Sequence, residues 1–236
     1  MANKFLCKRI KADIEGWDRD KVLALADAVG RLKAFKKTKF DQSVDICLHL
    51  GIDPKQADQN LRGAVSLPHG IGVAKRVVAF CTADKIAACK EAGALEAGGE
   101  ELVAKIEGGW MEFDVAVASP DMMRVVSKLG KVLGPKGLMP SPKAGTVTPQ
   151  IAQAVKEYGA GKVEFRSDAG GNVHAVVGKM SFDPKKIEEN AHAFIEHLIK
   201  MKPASSKGVY LKKISIKGTM TPGVLVDVAH HAPKEV

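Results

Sequence analysis

Aromatic side chains are scarce in this chain of 236 residues: they make up 5%, with two Trp and two Tyr. A core must therefore rest on Val, Ile, Leu and Ala, which the 45% apolar share permits. Long apolar runs are missing as well. None approaches the length that crosses a bilayer, and Met1-Ala-Asn-Lys-Phe-Leu-Cys-Lys-Arg9 holds no signal-peptide stretch. These absences point to a cytoplasmic protein with no membrane partner. The four cysteines, at 7, 47, 81 and 89, contain no Cys-x-x-Cys pair, and no histidine pair completes a zinc set. Cys47 and His49 would share one strand face, but two ligands alone do not make a site. No metal and no cofactor are expected, and the thiols read as buried and reduced.

Negative charge is absent from two stretches. Between Met122 and Glu157 there is no acid, but Arg124, Lys128, Lys131, Lys136, Lys143 and Lys156 are present. Between Glu196 and Asp227 there is again no acid, while Lys200, Lys202, Lys207, Lys212, Lys213 and Lys217 occur. The net charge is +9, and its distribution is uneven. Residues 1–67 are net +4, residues 68–160 net +1, and residues 161–236 net +4. A polyanion such as RNA should meet the two chain ends first.

The pattern of elements changes twice along the chain. Residues 18–34 read as a helix capped by Asp18, with Val22, Leu25, Val29 and Leu32 at helical spacing. Residues 44–50 alternate as a half-buried strand, and 61–67 read as another. From Val73 the order becomes strand, helix, strand, helix: Val77–Phe80, 84–92, a weak strand near Ala94-Leu95, 99–107, then Phe113–Ala118. Ser119-Pro-Asp121 should open the next helix. That order predicts a parallel sheet with helices on both faces. After Gly161, Val163 and Phe165 alternate with polar residues, and Asp168-Ala-Gly-Gly-Asn172 is a hairpin signal. A helix opens at Asp183-Pro184 with the stripe Ile187, Ala191, Phe194, Ile195 and Leu198, and strands follow at 209–216 and 224–228.

Each end piece is near the size at which a core becomes marginal. The expected architecture is therefore one α+β domain built from residues 1–67 plus 161–236. A Rossmann-like α/β domain with a parallel sheet, residues 68–160, is inserted into it. Pro68, Gly70, Gly159 and Gly161 are the candidate hinge positions, about which the inserted domain could swing.

Three stretches are candidate sites. Arg31-Leu-Lys-Ala-Phe-Lys-Lys-Thr-Lys-Phe40 has five basic residues in ten. It reads as a solvated helix end or as an RNA contact, and Phe40 favours RNA because a ring beside lysines suits a ribose or base. The turn Lys217-Gly-Thr-Met-Thr-Pro-Gly223 reads by itself as an ordinary hairpin turn. Leu129 to Val147, rich in Gly, Pro and Lys, reads as a loop suited to phosphates. A nucleotide P-loop is disfavoured, because Gly130–Leu138 does not fit Gly-x-x-x-x-Gly-Lys followed by Ser or Thr, and Pro135 lacks an amide. Lys128, Lys131, Lys136 and Lys143 either contact a second stretch of RNA or simply border a loop that closes the inserted domain. His230-His231 falls in a tail, and no triad is evident among the His, Cys and Ser residues.

Three motifs carry a family resemblance: Leu133-Gly-Pro-Lys-Gly-Leu-Met-Pro-Ser-Pro-Lys-Ala-Gly-Thr146, Gly51-Ile-Asp-Pro-Lys-Gln-Ala-Asp-Gln-Asn-Leu-Arg-Gly63, and Gly109-Trp-Met-Glu-Phe-Asp114 followed by Ala118-Ser-Pro-Asp121. In order and extent the chain closely resembles the ribosomal protein L-one family of the large-subunit stalk. The resemblance implies the same two-domain arrangement and no catalysis. It implies binding to 23S-type large-subunit rRNA near the tRNA exit site, help in releasing deacylated tRNA, and repression of translation of its own mRNA. The free protein is expected to be a monomer. The family clasps RNA with a strand-start motif and a Thr-Met-Gly turn. Carried over, these are Phe40, Ser43 and Asp45 with Thr219, Met220 and Thr221, flanked by Lys37, Lys39 and Lys217. Ser43, Asp45 and Thr221 stand where the family usually has Thr, Glu and Gly. The rival readings are a nucleotide-binding enzyme on the inserted domain and a general basic RNA chaperone.

Overall fold

A computed structural model describes residues 8–15, 18, 20–36, 38–206 and 208–228. Cys7, Lys37, Lys207 and His230-His231 lie outside the described residues. In chain order the helices and strands are α1 (Lys8–Ile14), β1 (Val22–Leu23), α2 (Leu25–Ala34), β2 (Ser43–Leu50), β3 (Arg62–Val65), β4 (Val77–Phe80), α3 (Ala83–Glu91), β5 (Glu96–Gly98) and α4 (Glu100–Glu107). They continue as β6 (Val115–Ala118), α5 (Met123–Val126), α6 (Gly130–Leu133), α7 (Ile151–Gly159), β7 (Val163–Arg166), β8 (Asn172–Lys179), α8 (Pro184–Lys200), β9 (Leu211–Gly218) and β10 (Val224–Val226). Two compact units result: Met1–Leu61 with Leu67–Gly72 and Phe165–Val236, and Arg62–Ser66 with Val73–Glu164.

The first unit is a five-stranded sheet in the order β1-β10-β9-β2-β8. All neighbours are antiparallel except β1, which runs parallel to β10. Strict alternation on β2 buries Val44, Ile46, Leu48 and Leu50 on one face. Helices α2 and α8 cover that face. Helix α8 contributes Ile187, Asn190, Ala191, Phe194, Ile195 and Leu198, the spacing of a single helical stripe. Asp183 stands at its N-cap and Pro184 at its first position, as the Asp-Pro pair predicts.

One buried polar side chain ties this unit together. Between Val44 and Asp45 the pairing of β2 with β8 slips, so Val177 on β8 has no partner in β2. The Asn190 Nδ2 amide donates to the Val177 carbonyl (2.8 Å) and to the Gly70 carbonyl (2.9 Å). Its Oδ1 accepts the His69 amide at 3.1 Å. Asn190 is fully buried and fastens the Leu67–Gly72 segment to α8.

The second unit holds a three-stranded parallel sheet, β5-β4-β6. Every residue of β4 and β6 is buried. Alternate residues feed two cores: Val78, Phe80, Ala116 and Ala118 meet Leu102, Ile106, Leu129 and Leu133, while Val77, Ala79, Val115 and Val117 meet Cys89, Ile151, Val155 and Tyr158. This is the parallel sheet expected from the alternation of strands and helices. Strands β3 and β7 pair separately as a two-stranded sheet. Gly161, with φ 104°, stops α7: the Lys162 amide donates back to the Glu157 carbonyl at 3.1 Å and the Gly161 amide to Tyr158.

Several expectations are corrected. The 18–34 helix begins only at Leu25, because Val22 and Leu23 take backbone partners on β10; the Asp227 amide donates to the Leu23 carbonyl at 2.8 Å. Asp18 caps no helix, and its carboxylate accepts the Asp20 amide instead. The α-helix after Ser119 starts at Met123, behind a turn in which the Met122 amide donates to the Ser119 carbonyl. Leu129–Leu133 is helical rather than loop, since Leu129 and Leu133 are drawn fully into the core. The 168–172 turn forms, but β7 leaves to pair with β3, and a single Ser167–Val173 bridge is left of the hairpin. Cys81 and Cys89 are buried free thiols, whereas Cys47 is only half-buried, on the face of β2 away from the helices.

Asp168 makes that turn sensitive to acid. Its Oδ1 accepts the amides of Asn172 (2.7 Å) and Gly170 (2.9 Å), and Asn172 Nδ2 lies 3.0 Å from Oδ2. The Asn172 side chain first, and its backbone amide second, hold the carboxyl at about 2. A depressed carboxyl stabilises the fold at pH above the ordinary value of 3.8, and that contribution is lost as pH falls toward about 2. Amide exchange at Gly170 and Asn172 is therefore expected to accelerate, relative to Val173, between pH 4 and pH 2 on the order of those two values. Asp168→Asn should remove most of that pH dependence.

Candidate RNA-binding site

Two segments far apart in sequence meet at one end of the first unit's sheet. Strand β2 aligns Val44 with Gly218 and Asp45 with Lys217 on β9, and Ser43 with Lys179 on β8. Beyond the last of these pairs the 219–223 turn folds against Ser43. The Thr219 amide donates to the Ser43 carbonyl (3.0 Å), and the Ser43 amide donates to Thr219 Oγ1 (3.1 Å). The Met220 amide donates to Gln42 Oε1 at 2.8 Å. Lys179 Nζ donates to Ser43 Oγ at 3.0 Å, which leaves the hydroxyl proton for another acceptor.

The structure thus brings together Phe40, Ser43, Asp45, Lys217, Thr219, Met220 and Thr221 in one unit. Phe40 is 53% exposed and Met220 46%, two large apolar side chains held in water beside hydroxyls and lysines. Lys39 and Lys217 are exposed, and Lys37 is outside the described residues. The three departures from the family pattern find local roles. Ser43 anchors the Lys179 ammonium; Asp45 is half-buried opposite Lys217; Thr221 Oγ1 accepts the Gly218 amide at 2.7 Å and closes the turn on itself. Gly218 is closely packed there: a Cβ would sit 3.2 Å from Thr221 Oγ1 and 3.3 Å from Gln42 Oε1, so a larger residue would push these groups by a few tenths of an ångström.

Residues the sequence reading passed over complete the site. Gln42 is 2% exposed and supports the turn from beneath. Asp41 accepts the amide and the hydroxyl of Ser181, at 3.1 and 2.8 Å. The first contact depends on the pairing of β2 with β9 and the second on its pairing with β8, which a local reading of any one strand does not contain. Only the place of Gln42 inside the strand-start motif could have singled it out.

The other lysine group belongs to the second unit. Lys128, Lys131, Lys136 and Lys143 are all exposed, around helical turns anchored by buried Leu129, Leu133 and Ala144. The Tyr158 hydroxyl donates to the Ala144 carbonyl at 2.7 Å and pins that segment from inside. Of the hinge candidates, Gly70 takes φ 60° within the segment fastened by Asn190, Pro68 is exposed beside it, Gly159 ends α7, and Gly161 follows as its stop residue.

The chain belongs to the ribosomal protein L1p/L10e family, whose family model matches residues 32–222. The match spans both arms of the site, from the Lys33–Asp45 segment to Thr221. Among similar curated proteins, the large ribosomal subunit protein uL1 of Polaromonas sp. strain JS666 is 52% identical over 222 residues, covering 94% of this chain and 96% of that protein. The protein of the same name from Chlamydia trachomatis serovar D is 51% identical over 220 residues, covering 93% and 95%. That of Nocardioides sp. strain JS614 is 50% identical over 220 residues, covering 93% and 92%.

Proposed function

We propose that this protein is a non-catalytic constituent of the large ribosomal subunit, in the cytoplasm, that grips a folded segment of 23S-type rRNA. The domain that binds is the one built from residues 1–67 plus 161–236, and the 68–160 domain is carried as an insertion. The observation that carries this reading is the Ser43–Thr219 clasp, with Phe40 and Met220 exposed beside it. Hydroxyls and backbone groups held by strand pairing suit the 2′-hydroxyls of RNA, and the two apolar side chains exclude water from them on binding. The division into two compact units supports the domain reading, and the family membership supports the ribosomal one. Deacylated tRNA at the exit site and the protein's own mRNA are the further partners, the mRNA held by the same clasp. Lys128, Lys131, Lys136 and Lys143 form a secondary RNA contact. The inserted domain swings about positions near Pro68, Gly70, Gly159 and Gly161.

A gel-shift competition between a large-subunit rRNA fragment and an unrelated hairpin tests the reading. Selective retention of the rRNA fragment is expected, whereas equal competition would indicate a general RNA chaperone. A clasp made mostly of neutral groups releases few counterions. The log–log salt slope should therefore correspond to about two or three phosphates, well below the six to ten contacts of a strongly electrostatic binder. Binding titrations at several salt concentrations give that slope directly.

A further inference from the structure

Beside Phe40, an open groove of about 610 Å³ runs between the 38–42 segment and Met180-Ser181. Its volume falls within the ~300–1,000 Å³ of small-ligand clefts. The groups lining it are mostly committed. Asp41 uses both carboxylate oxygens on Ser181, the Thr38 hydroxyl donates to the Phe40 carbonyl, and Lys33 Nζ donates to the Phe182 carbonyl. Gln42 differs. It is 2% exposed, and its Oε1 must be the atom that accepts the Met220 amide, because only the oxygen can accept. That fixes Nε2 as a two-proton donor. It donates to nothing among the described residues, and Gln42 is one of the residues that line the groove. Lys39 stands at the groove and forms no ion pair among the described residues.

A π-face, an unused amide donor at the base of the cleft and a free ammonium at its edge match the three parts of one nucleotide. We propose that this groove receives a single unstacked nucleotide of the bound RNA. Its base packs on the Phe40 ring, an acceptor on the base edge takes the Gln42 Nε2 proton, and its phosphate lies against Lys39. This rests on the RNA-binding reading above and adds to it a pocket for one extruded base. A buried donor without a partner is costly, which gives the base acceptor its advantage over water-exposed sites.

The test is NMR on the ¹⁵N-labelled full chain, following the Gln42 side-chain NH₂ signals. Uridine and guanosine monophosphate are expected to move those signals, and ribose 5-phosphate to move only the amides around Lys39. Phe40→Leu, at an exposed position, should abolish the base-dependent shift and weaken binding of the rRNA fragment about tenfold. If ribose 5-phosphate reproduces the nucleotide shifts, the groove is only an anion site and the proposal falls. If the rRNA fragment binds and moves the Thr219 and Met220 amides while the Gln42 NH₂ stays still, the subsite is refuted and RNA binding stands. If no rRNA fragment binds at all, both readings fail.

Discussion

Replacing Asn190 with leucine is expected to destabilise the first unit by about 3–5 kcal/mol. The side chain is fully buried, and the substitution orphans three backbone groups at once: the Val177 and Gly70 carbonyls and the His69 amide. An unsatisfied buried group costs about 1–3 kcal/mol; the Val177 carbonyl bears that cost in full and the part-buried Gly70 carbonyl and His69 amide in part, and leucine restores none of them. The Val177 carbonyl has no alternative in β2, because it lies at the slip in the pairing. Hydrogen exchange of the α8 and β8 amides is the appropriate measurement, since it reports this unit alone. Protection should fall more than about a hundredfold, at tenfold per 1.4 kcal/mol. Unchanged protection would mean that water replaces all three bonds and that Asn190 holds nothing. Asn190→Asp keeps the acceptor for His69 but loses both donations, so it too should be severely destabilised.

Met220→Asp is expected to weaken rRNA-fragment binding by at least about 2 kcal/mol, or roughly thirtyfold, because a carboxylate would enter an interface from which water is expelled. The free protein should tolerate the change, since Met220 is 46% exposed and its anchoring contact to Gln42 uses the backbone amide. Lys185→Ala, on the exposed side of α8, removes a positive charge remote in sequence from both arms of the clasp and should cost far less. A titration in which the two variants weaken binding equally would assign the affinity to bulk charge and refute the neutral clasp. Unaltered thermal unfolding of Met220→Asp separates lost binding from lost fold.

Where a segment meets its core through one regular stripe or one alternation, the sequence already displays it. Helix α8 is legible from its Asp183-Pro184 start to Leu198, and β2 and β4 are legible from their alternation and their apolar run. Legibility ends where a distant partner decides. Val22 fits the α2 stripe, yet β10 takes it into the sheet. Leu129 and Leu133 lie in a Gly- and Pro-rich string, yet burial in one core with Phe80, Leu102 and Ile106 makes them helical. The site divides in the same way. Phe40, Ser43, Asp45 and the Thr219–Thr221 turn are recognisable from motif resemblance. That Gln42 supports Met220 requires β2 to lie beside β9, across a separation of 178 residues.

Strand β2 lies between β8 and β9, and His49 bonds to Asn172 across a separation of 123 residues. During synthesis, β2 therefore emerges without either neighbour, whereas all three strands of the second unit's parallel sheet have been made before β8 and β9 follow. Local contacts form before distant ones, and chains acquire structure as they are made. The inserted unit is accordingly the first to become solid. The proposed RNA-binding surface is complete only once the 219–223 turn has been made, so a nascent chain that stops short of that turn lacks one arm of the proposed clasp.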